Sequence, residues 1–260
     1  ALALGYTHID GAYGYKNSDG VGRAFNAHLA RTGRPRSDLF LTSKIPGGLS
    51  AAEATQTLEA NLAQFQVEYV DLMLVHYPAT WAGEGGKAMR QAEWKAREPF
   101  RRTGKARAIG VSHYCARHLQ DILEVATITP ALNQVEFHVG MGSAGPNATD
   151  DRSVWEAAGV TYMGFSPLCG PCGTSELIDG ALVTKIGAAH GKTGAQVSLR
   201  WQTQQNIPVI PKSSNPEHLR QNLDLFDWEL TPEEMLLLST ATSPPACGGP
   251  NATSGDCSVP

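Results

Sequence analysis

The chain has 260 residues, of which 42% are hydrophobic and 18% charged, and its formal net charge at pH 7 is −4. This composition is typical of a globular protein with enough apolar side chains for a core. The negative balance and the lack of a basic stripe exclude a general nucleic-acid binder, because phosphate neutralisation requires a basic surface. No apolar run approaches the length of a bilayer-spanning helix, so no membrane partner is expected.

Short apolar runs recur along the chain and are apolar nearly end to end, which is typical of parallel strands buried on both faces. Between them lie segments with apolar residues at helical spacing. The sequence therefore predicts alternating strands and helices. The predicted strands are seven, at residues 6–10, 39–44, 70–76, 106–112, 131–137, 160–166 and 207–212.

For four of the intervening helices, N-capping residues in the sequence predict where the helix begins. Ser50 with Glu53, and Thr193 with Gln196, have the spacing of capping boxes, in which two side chains satisfy free backbone N–H groups. A third helix is predicted after the N-cap Asn215, which is followed by a proline at the first helical position. The fourth begins after Thr231.

Strands that start about every thirty residues have the period of one βα unit, and a (β/α)8 TIM barrel is the natural closure of such units. Because a seven-stranded barrel leaves two unpaired edges, we expect the first strand to be missing upstream of Ala1. The barrel is predicted over residues 1–240 and a Gly/Pro/Ser-rich tail over 241–260. An open doubly wound sheet is the alternative, although no G-x-G-x-x-G motif follows any strand.

The five cysteines, Cys115, Cys169, Cys172, Cys247 and Cys257, show no evident disulfide framework and are interpreted as free thiols in loops. Cys169 and Cys172 lack a second cysteine pair, so no metal site is predicted. Cys247 and Cys257 could bridge in an oxidising compartment, which the sequons 147–149 and 251–253 would also permit. The chain starts at Ala1 without an initiator methionine or a recognisable signal peptide, and the expected location is cytoplasmic.

Polar side chains stand where three successive predicted strands end: Asp10, Lys44 and His76, with Tyr15 in the loop after the first strand. Taken alone, each residue could have a purely structural role, such as a helix cap, a surface cation or a hydrogen-bonded histidine in the core. Together they point to one site, because active-site groups of parallel barrels come from the carboxyl ends of strands. A phenol near an ammonium and an imidazole can protonate an oxygen without a metal, which indicates carbonyl chemistry.

A hydrolase or aldolase barrel is another possibility, in which Lys44 would form a Schiff base. The carboxylate of Asp10 argues for a charged lysine, which is a poor nucleophile. Several ordered segments then favour a specific family. They are residues 5–15 with Asn17, then 41–44, 71–76, 104–112 and 210–214.

Over almost its whole length the chain resembles the aldo-keto reductases. The resemblance implies reduction of an aldehyde or ketone by a nicotinamide cofactor that is bound extended across the barrel mouth without a Rossmann domain. It makes Tyr15 the general acid and Lys44 the cation that activates the Tyr15 hydroxyl. It makes Asp10 the anchor of Lys44 and His76 the residue that orients the substrate.

The same resemblance implies where the cofactor binds. Ser112 and Gln134 would hold the carboxamide, Phe165 would stack on the nicotinamide ring in place of the usual tyrosine, and His113 stands where asparagine is common. Residues Ser166, Pro167 and Leu168 would line the pyrophosphate, and Lys212, Ser213 and Ser214 would meet the adenosine 2′-phosphate.

Near that phosphate, His218 replaces a frequent arginine and Gln221 a frequent glutamate, whereas Asn222 matches the family. Because histidine offers no bidentate permanent cation, NADPH is expected with NADH possible. Tyr77 and Trp81 are expected at the substrate. A nicotinamide-binding regulatory or redox-sensing subunit with little turnover is the alternative function.

Overall fold

The computed structural model describes residues 1–141, 148–247 and 257–260. These residues form two compact units, unit 1 with Ala1–Asn133 and Cys257–Pro260, and unit 2 with Gln134–Asp256. Asn147 and the second sequon lie outside the described residues. Among the described residues, no helix combines the length and the apolarity that crossing a bilayer requires.

Unit 1 is built on parallel strands that lie in chain order, β1 to β4. The register places Asp10 beside Thr42, and Lys44 beside Leu74. Every residue of β3 is buried, as expected for a parallel strand covered on both faces. The strands are β1 (His8–Asp10), β2 (Phe40–Ile45), β3 (Val70–Val75) and β4 (Ala106–Ser112).

The helices of unit 1 follow its strands. They are α1 (Ser18–Thr32), α2 (Ala51–Phe65), α3 (Lys87–Arg102) and α4 (Ala116–Leu123), with 3-10 turns at Leu2–Leu4, Tyr13–Tyr15 and Arg36–Asp38. The predicted capping box starts α2: the Ser50 hydroxyl accepts from the Glu53 N–H at 3.3 Å, and the Glu53 carboxylate accepts from the Ser50 N–H at 2.9 Å. This fixes where α2 begins.

Strand β5 (Leu132–Glu136) starts in unit 1, where the Ala131 N–H donates to the Ile109 carbonyl at 2.9 Å, and continues into unit 2. Strand β6 (Thr161–Phe165) lies in unit 2 beside the end of β5, where the Phe137 N–H donates to the Phe165 carbonyl at 3.3 Å. The prediction of a seventh strand at 207–212 is wrong, because only one bridge forms there, between Gly164 and Val209. Pro208 faces β6 but has no N–H to donate, so the ladder does not extend beyond that bridge in its direction.

Unit 2 carries six helices in its described residues, and the caps at Thr193, Asn215 and Thr231 form as predicted. Each of the three side chains accepts a backbone N–H near the start of its helix. The helices are α5 (Ala148–Ala157), α6 (Glu176–Asp179), α7 (Ala181–His190), α8 (Gly194–Thr203), α9 (Pro216–Gln221) and α10 (Pro232–Ser239), with a 3-10 turn at Gly170–Cys172.

The cysteines correct the sequence prediction. Cys115 is bridged to Cys257 in unit 1, and in unit 2 the Cys172 sulfur lies against the sulfurs of both Cys169 and Cys247, so none of the five is an isolated thiol. The interpretation as free thiols is therefore wrong, and the possible Cys247–Cys257 bridge does not form. Although these two residues are close in sequence, Cys247 belongs to unit 2 and Cys257 to unit 1.

Candidate active site

A buried ion pair anchors the site in unit 1. Asp10 is the last residue of β1 and Lys44 lies near the end of the neighbouring strand β2, so both side chains emerge at the same end of the parallel sheet. The Lys44 ammonium donates to Asp10 Oδ1 and, at 3.0 Å, to the Gly11 carbonyl. The Lys44 side chain is only 1% exposed. A buried ammonium requires such acceptors to stay charged, and here two are supplied.

Tyr15 stands over this pair on the Tyr13–Tyr15 3-10 turn, not in an open loop. Its ring centroid lies 5.3 Å from Lys44 Nζ, within the range of a cation–π contact. Half of the Tyr15 surface is exposed. The phenol is therefore next to a fixed positive charge and accessible to a substrate.

His76 follows β3 directly, and its backbone N–H donates to the Ile45 carbonyl at 2.9 Å. Its ring meets that of Tyr15 edge to face, with centroids 5.6 Å apart. Burial lowers the pKa of His76 to about 3, and the electrostatic interactions with Lys44 and His113 act in the same direction. The imidazole is therefore neutral near pH 7.

Aromatic rings surround the exposed side of His76. The Trp81 ring centroid is 5.2 Å from His76, and Trp81 stacks on Tyr77 at 5.3 Å. Tyr77 in turn meets His113 at 5.5 Å. Trp81 is 62% exposed, an unusual position for a large apolar side chain. The two residues predicted to contact substrate thus lie beside the predicted catalytic residues.

The predicted cofactor residues of unit 1 lie at the same end of β4. Ser112 is its last residue and is buried, and His113 follows with φ of 62°. A non-glycine residue with positive φ stores backbone strain, and such strain clusters at functional sites. The geometry is compatible with a binding position just beyond the strand.

In unit 2, Gln134 is buried within β5, with its Nε2 3.5 Å from Met163 Sδ. Phe165 is the half-buried last residue of β6, and Ser166 follows with φ of 49°. A second set lies around the start of α9, where the Ser213 hydroxyl accepts from the Asn215 N–H at 3.1 Å. Pro167, which is buried, and Leu168, which is half-buried, follow Ser166 directly after β6. The other predicted residues around α9 are Gln221 (half-buried), Asn222 (buried), and Lys212, Ser214 and His218 (exposed).

A family model described as "Aldo/keto reductase family" matches residues 1–241. The chain belongs to the aldo-keto reductase family. It is 38% identical to an aldo-keto reductase of Mycobacterium sp. (strain MCS), over 92% of this chain and 78% of that protein. Glyoxal reductase of Bacillus subtilis is 37% identical, over 90% of this chain and 78% of its own length.

Solved structures of this family are similar in fold. The aldose reductase of Schistosoma japonicum matches with a TM-score of 0.83 and 29% identity, over 93% of this chain and 81% of that one. An aldo-keto reductase of Bombyx mori in complex with NADP matches with a TM-score of 0.81 and 26% identity, over 92% and 79%. The predicted TIM-barrel fold class of this aldo-keto reductase is thereby confirmed, and its family assigns carbonyl reduction in general.

A cavity of about 250 Å³ lies elsewhere in unit 1, at the amino ends of β2, β3 and β4. Its wall includes Asp71, whose carboxylate pairs with Arg36 at 2.8 Å and with Arg107 at 3.5 Å. Lys44 and His76 lie at the opposite, carboxyl ends of these strands. Because barrel enzymes use the carboxyl ends for catalysis, the cavity is not assigned to the reaction.

Proposed function

We propose that this aldo-keto reductase reduces an aldehyde or ketone to the alcohol with NADPH, and that Tyr15 is the general acid. The observation that supports this proposal most strongly is the cluster of Asp10, Lys44, Tyr15 and His76 at one end of the unit 1 strands. No one of these groups needs a metal for its role. The cofactor supplies the hydride to the carbonyl carbon.

In this proposal Tyr15 delivers its proton to the carbonyl oxygen as negative charge develops there. The proton loss leaves a phenolate, which the Lys44 ammonium stabilises because it is already in place near the Tyr15 ring. Asp10 and the Gly11 carbonyl hold that ammonium, so little reorganisation is needed during the reaction. Tyr15 is exposed enough to reach the substrate oxygen.

His76 has a positioning role in the proposal. Since burial keeps its imidazole neutral, it can donate a hydrogen bond to the carbonyl oxygen without competing with Tyr15 as an acid. Trp81 and Tyr77 supply stacked apolar surface for the rest of the substrate. This arrangement suits a small aldehyde, and the likeness to Bacillus subtilis glyoxal reductase supports that choice.

The choice of NADPH depends on unit 2 and on a structural relative. Lys212 is an exposed cation three residues before Asn215, the N-cap of α9, where it can meet a phosphate that NADH lacks. The left-handed backbone at Ser166, just after β6, supports the proposed approach of the polypeptide to the dinucleotide, because strained backbone clusters at functional sites. The Bombyx mori relative binds NADP, which supports the same cofactor here.

The test is Tyr15→Phe, with Tyr13→Phe as the matched control on the same 3-10 turn. General acid catalysis contributes about 10² to 10⁴ in rate, so NADPH-dependent reduction of a panel of aldehydes should fall by that factor in Tyr15→Phe alone. NADPH affinity, followed by fluorescence titration, should stay within a factor of two or so. Wild-type protein should turn over faster with NADPH than with NADH at equal concentration.

Two results contradict the proposal. Full reductase activity in Tyr15→Phe would remove Tyr15 from the reaction. Tight NADPH binding by the wild-type chain without measurable turnover of any carbonyl would favour a regulatory or redox-sensing subunit instead.

A further inference from the structure

Unit 2 contains a cluster of three cysteine sulfurs that the reduction chemistry does not use. Cys169 and Cys172 flank the 3-10 turn that follows β6, and Cys247 reaches them from a position 75 residues further along the chain. Cys172 is placed against both Cys169 and Cys247, with Cα–Cα separations of 5.3 and 4.6 Å. One sulfur forms only one disulfide bond, so two bridges at Cys172 are chemically impossible. The three sulfurs converge on one point that two disulfides cannot explain.

A carboxylate completes the cluster. Glu136, the last residue of β5, places an oxygen in it, and the four candidate ligand atoms all lie within 4.8 Å of one another. The carboxylate oxygen Oε1 accepts from the Cys247 N–H at 2.9 Å and lies 3.8 Å from Cys172 Sγ. Glu136 is only 9% exposed, so its charge requires compensation.

His138 provides an independent observation at the same carboxylate. Its Nδ1 contacts the Val139 carbonyl at 2.7 Å, and since a carbonyl only accepts, Nδ1 carries the proton. The other ring nitrogen, Nε2, lies 3.5 Å from Glu136 Oε1. His138 is fully buried, and Nε2 has no hydrogen-bond partner among the described residues. The buried Glu136 carboxylate is thus faced by a buried ring nitrogen that forms no hydrogen bond with it, and a metal cation in the cluster would compensate the carboxylate charge.

From these observations we propose that the thiolates of Cys169, Cys172 and Cys247, together with the carboxylate of Glu136, bind one zinc ion. Three thiolates and one oxygen form a closed tetrahedral set, and the Cys-x-x-Cys spacing of residues 169–172 is common in structural zinc sites. Thiolate ligands select zinc over magnesium or calcium. His138 lies next to the ligands and stabilises the site from outside. On binding, the three thiols release three protons and no electrons move.

The site joins three parts of unit 2 that are far apart in sequence: the end of β5, the segment after β6 and the segment that contains Cys247. It therefore has a structural role in fixing the segment after β6, and it does not depend on the proposed reductase mechanism. A zinc ion bound only by the folded state adds to stability by mass action.

The test uses the full chain, purified with a reducing agent and loaded with zinc or, separately, with cobalt as a spectroscopic probe. We expect about one zinc ion per chain by elemental analysis, and a thiolate-to-cobalt charge-transfer band after cobalt loading. Cys172→Ser should lose both signals. Glu136→Gln should keep the band with at least about tenfold weaker metal binding.

The matched control is the double variant Cys115→Ser, Cys257→Ser, whose sulfurs pair in unit 1 and should leave the metal content unchanged. Circular dichroism of each variant without metal checks that it folds. If Cys172→Ser does not fold, the cobalt titration of wild-type protein decides, because its endpoint and charge-transfer band require no variant. Reduced wild-type protein that binds no zinc, or that binds cobalt without the charge-transfer band, would overturn the proposal. A disulfide with one remaining thiol would then be the state of the cluster.

Discussion

At the scale of single residues, the site depends on a buried lysine whose charge is balanced by one carboxylate. Lys44 is 1% exposed and the Asp10 side chain 11% exposed, so neither charge is well hydrated. Removal of one partner of a buried ion pair leaves the other charge buried and uncompensated. The free-energy cost of that charge is larger than the net stabilisation from the intact pair. In the proposed mechanism, this pair therefore contributes to both stability and catalysis.

Asp10→Asn should lower the free energy of unfolding by about 3 to 5 kcal/mol, because the Lys44 charge loses its ionic partner. Urea denaturation followed by circular dichroism measures this quantity. The matched control is Asp38→Asn, in an exposed pair with Arg34 at 3.4 Å, which should cost less than about 1 kcal/mol. Equal losses for the two variants would show that Lys44 does not depend on Asp10.

His76 has a pH-dependent effect on stability. Its pKa is lowered from 6.5 to about 3 by burial first, so between these values the unfolded chain binds a proton that the folded chain does not. The contribution of His76 to the free energy of unfolding is complete above pH 6.5 and is lost as the pH falls toward 3. His76→Gln should therefore flatten the acid side of the curve of unfolding free energy against pH.

Glu93 provides a comparison of opposite sign in the same measurement. Burial raises the pKa of Glu93 from 4.5 to about 7, against the opposing effect of Arg97, so the folded chain holds a proton that the unfolded chain has released. The contribution of Glu93 to the free energy of unfolding is complete below pH 4.5 and is lost as the pH rises through 7. Glu93→Gln should change the slope in the direction opposite to His76→Gln. Changes of the same sign would contradict one of the two pKa assignments, and the sign itself would show which one.

At the scale of elements, α1 contains two glycines that differ only in what surrounds them. A Cβ at Gly22 would lie 2.4 Å from the Phe65 carbonyl oxygen of α2, whereas a Cβ at Gly20 would meet only the end of the Arg23 side chain, at 3.9 Å. Gly22 is thus required by the close approach of α1 and α2. Gly20 only weakens its helix.

Gly20→Ala should raise the free energy of unfolding by up to about 1 kcal/mol, since alanine is the better helix former. Gly22→Ala should lower it, because the α2 backbone cannot move aside as a flexible side chain would. Thermal unfolding of the two variants beside wild type measures both effects. Stabilisation by both substitutions would show that α1 and α2 are not in close contact.

At the scale of the whole molecule, the Cys115–Cys257 disulfide closes the longest covalent loop among the described cysteines, with a sequence separation of 142. It attaches residues 257–260 to unit 1, where Arg117 also donates to the Cys257 carbonyl at 2.9 Å. A disulfide that closes a long loop lowers the conformational entropy of the unfolded chain, and it hardly affects the folded chain. The disulfide should therefore contribute substantially to stability.

The double variant Cys115→Ser, Cys257→Ser should lose about 2 to 4 kcal/mol of unfolding free energy. Chemical denaturation measures the loss, and wild-type protein with a reducing agent should show a similar one. In the double variant the reducing agent can act only on the cluster of Cys169, Cys172 and Cys247, so its effect there is the baseline to subtract from wild type. A stability equal to wild type would mean that the two cysteines are not bridged.

Short-range patterns in the sequence determined much of this molecule. The caps at Ser50, Thr193, Asn215 and Thr231 depend on residues at most three positions apart, and each forms as predicted. Six of the seven predicted strands form, because runs of apolar residues need two covered faces wherever they lie. The carboxyl ends of parallel strands share one edge, which explains why Asp10, Lys44 and His76 were predicted as neighbours. Their catalytic roles stay predictions.

Only the tertiary structure decided the remaining features. The seventh predicted strand is reduced to one bridge, since Pro208 has no N–H to donate toward β6. The partners of Cys115 and Cys172 lie 142 and 75 residues away, and Glu136 and His138 look like ordinary residues at the end of a strand. Nothing local specifies such encounters, because they arise when the chain closes long loops that its core makes favourable.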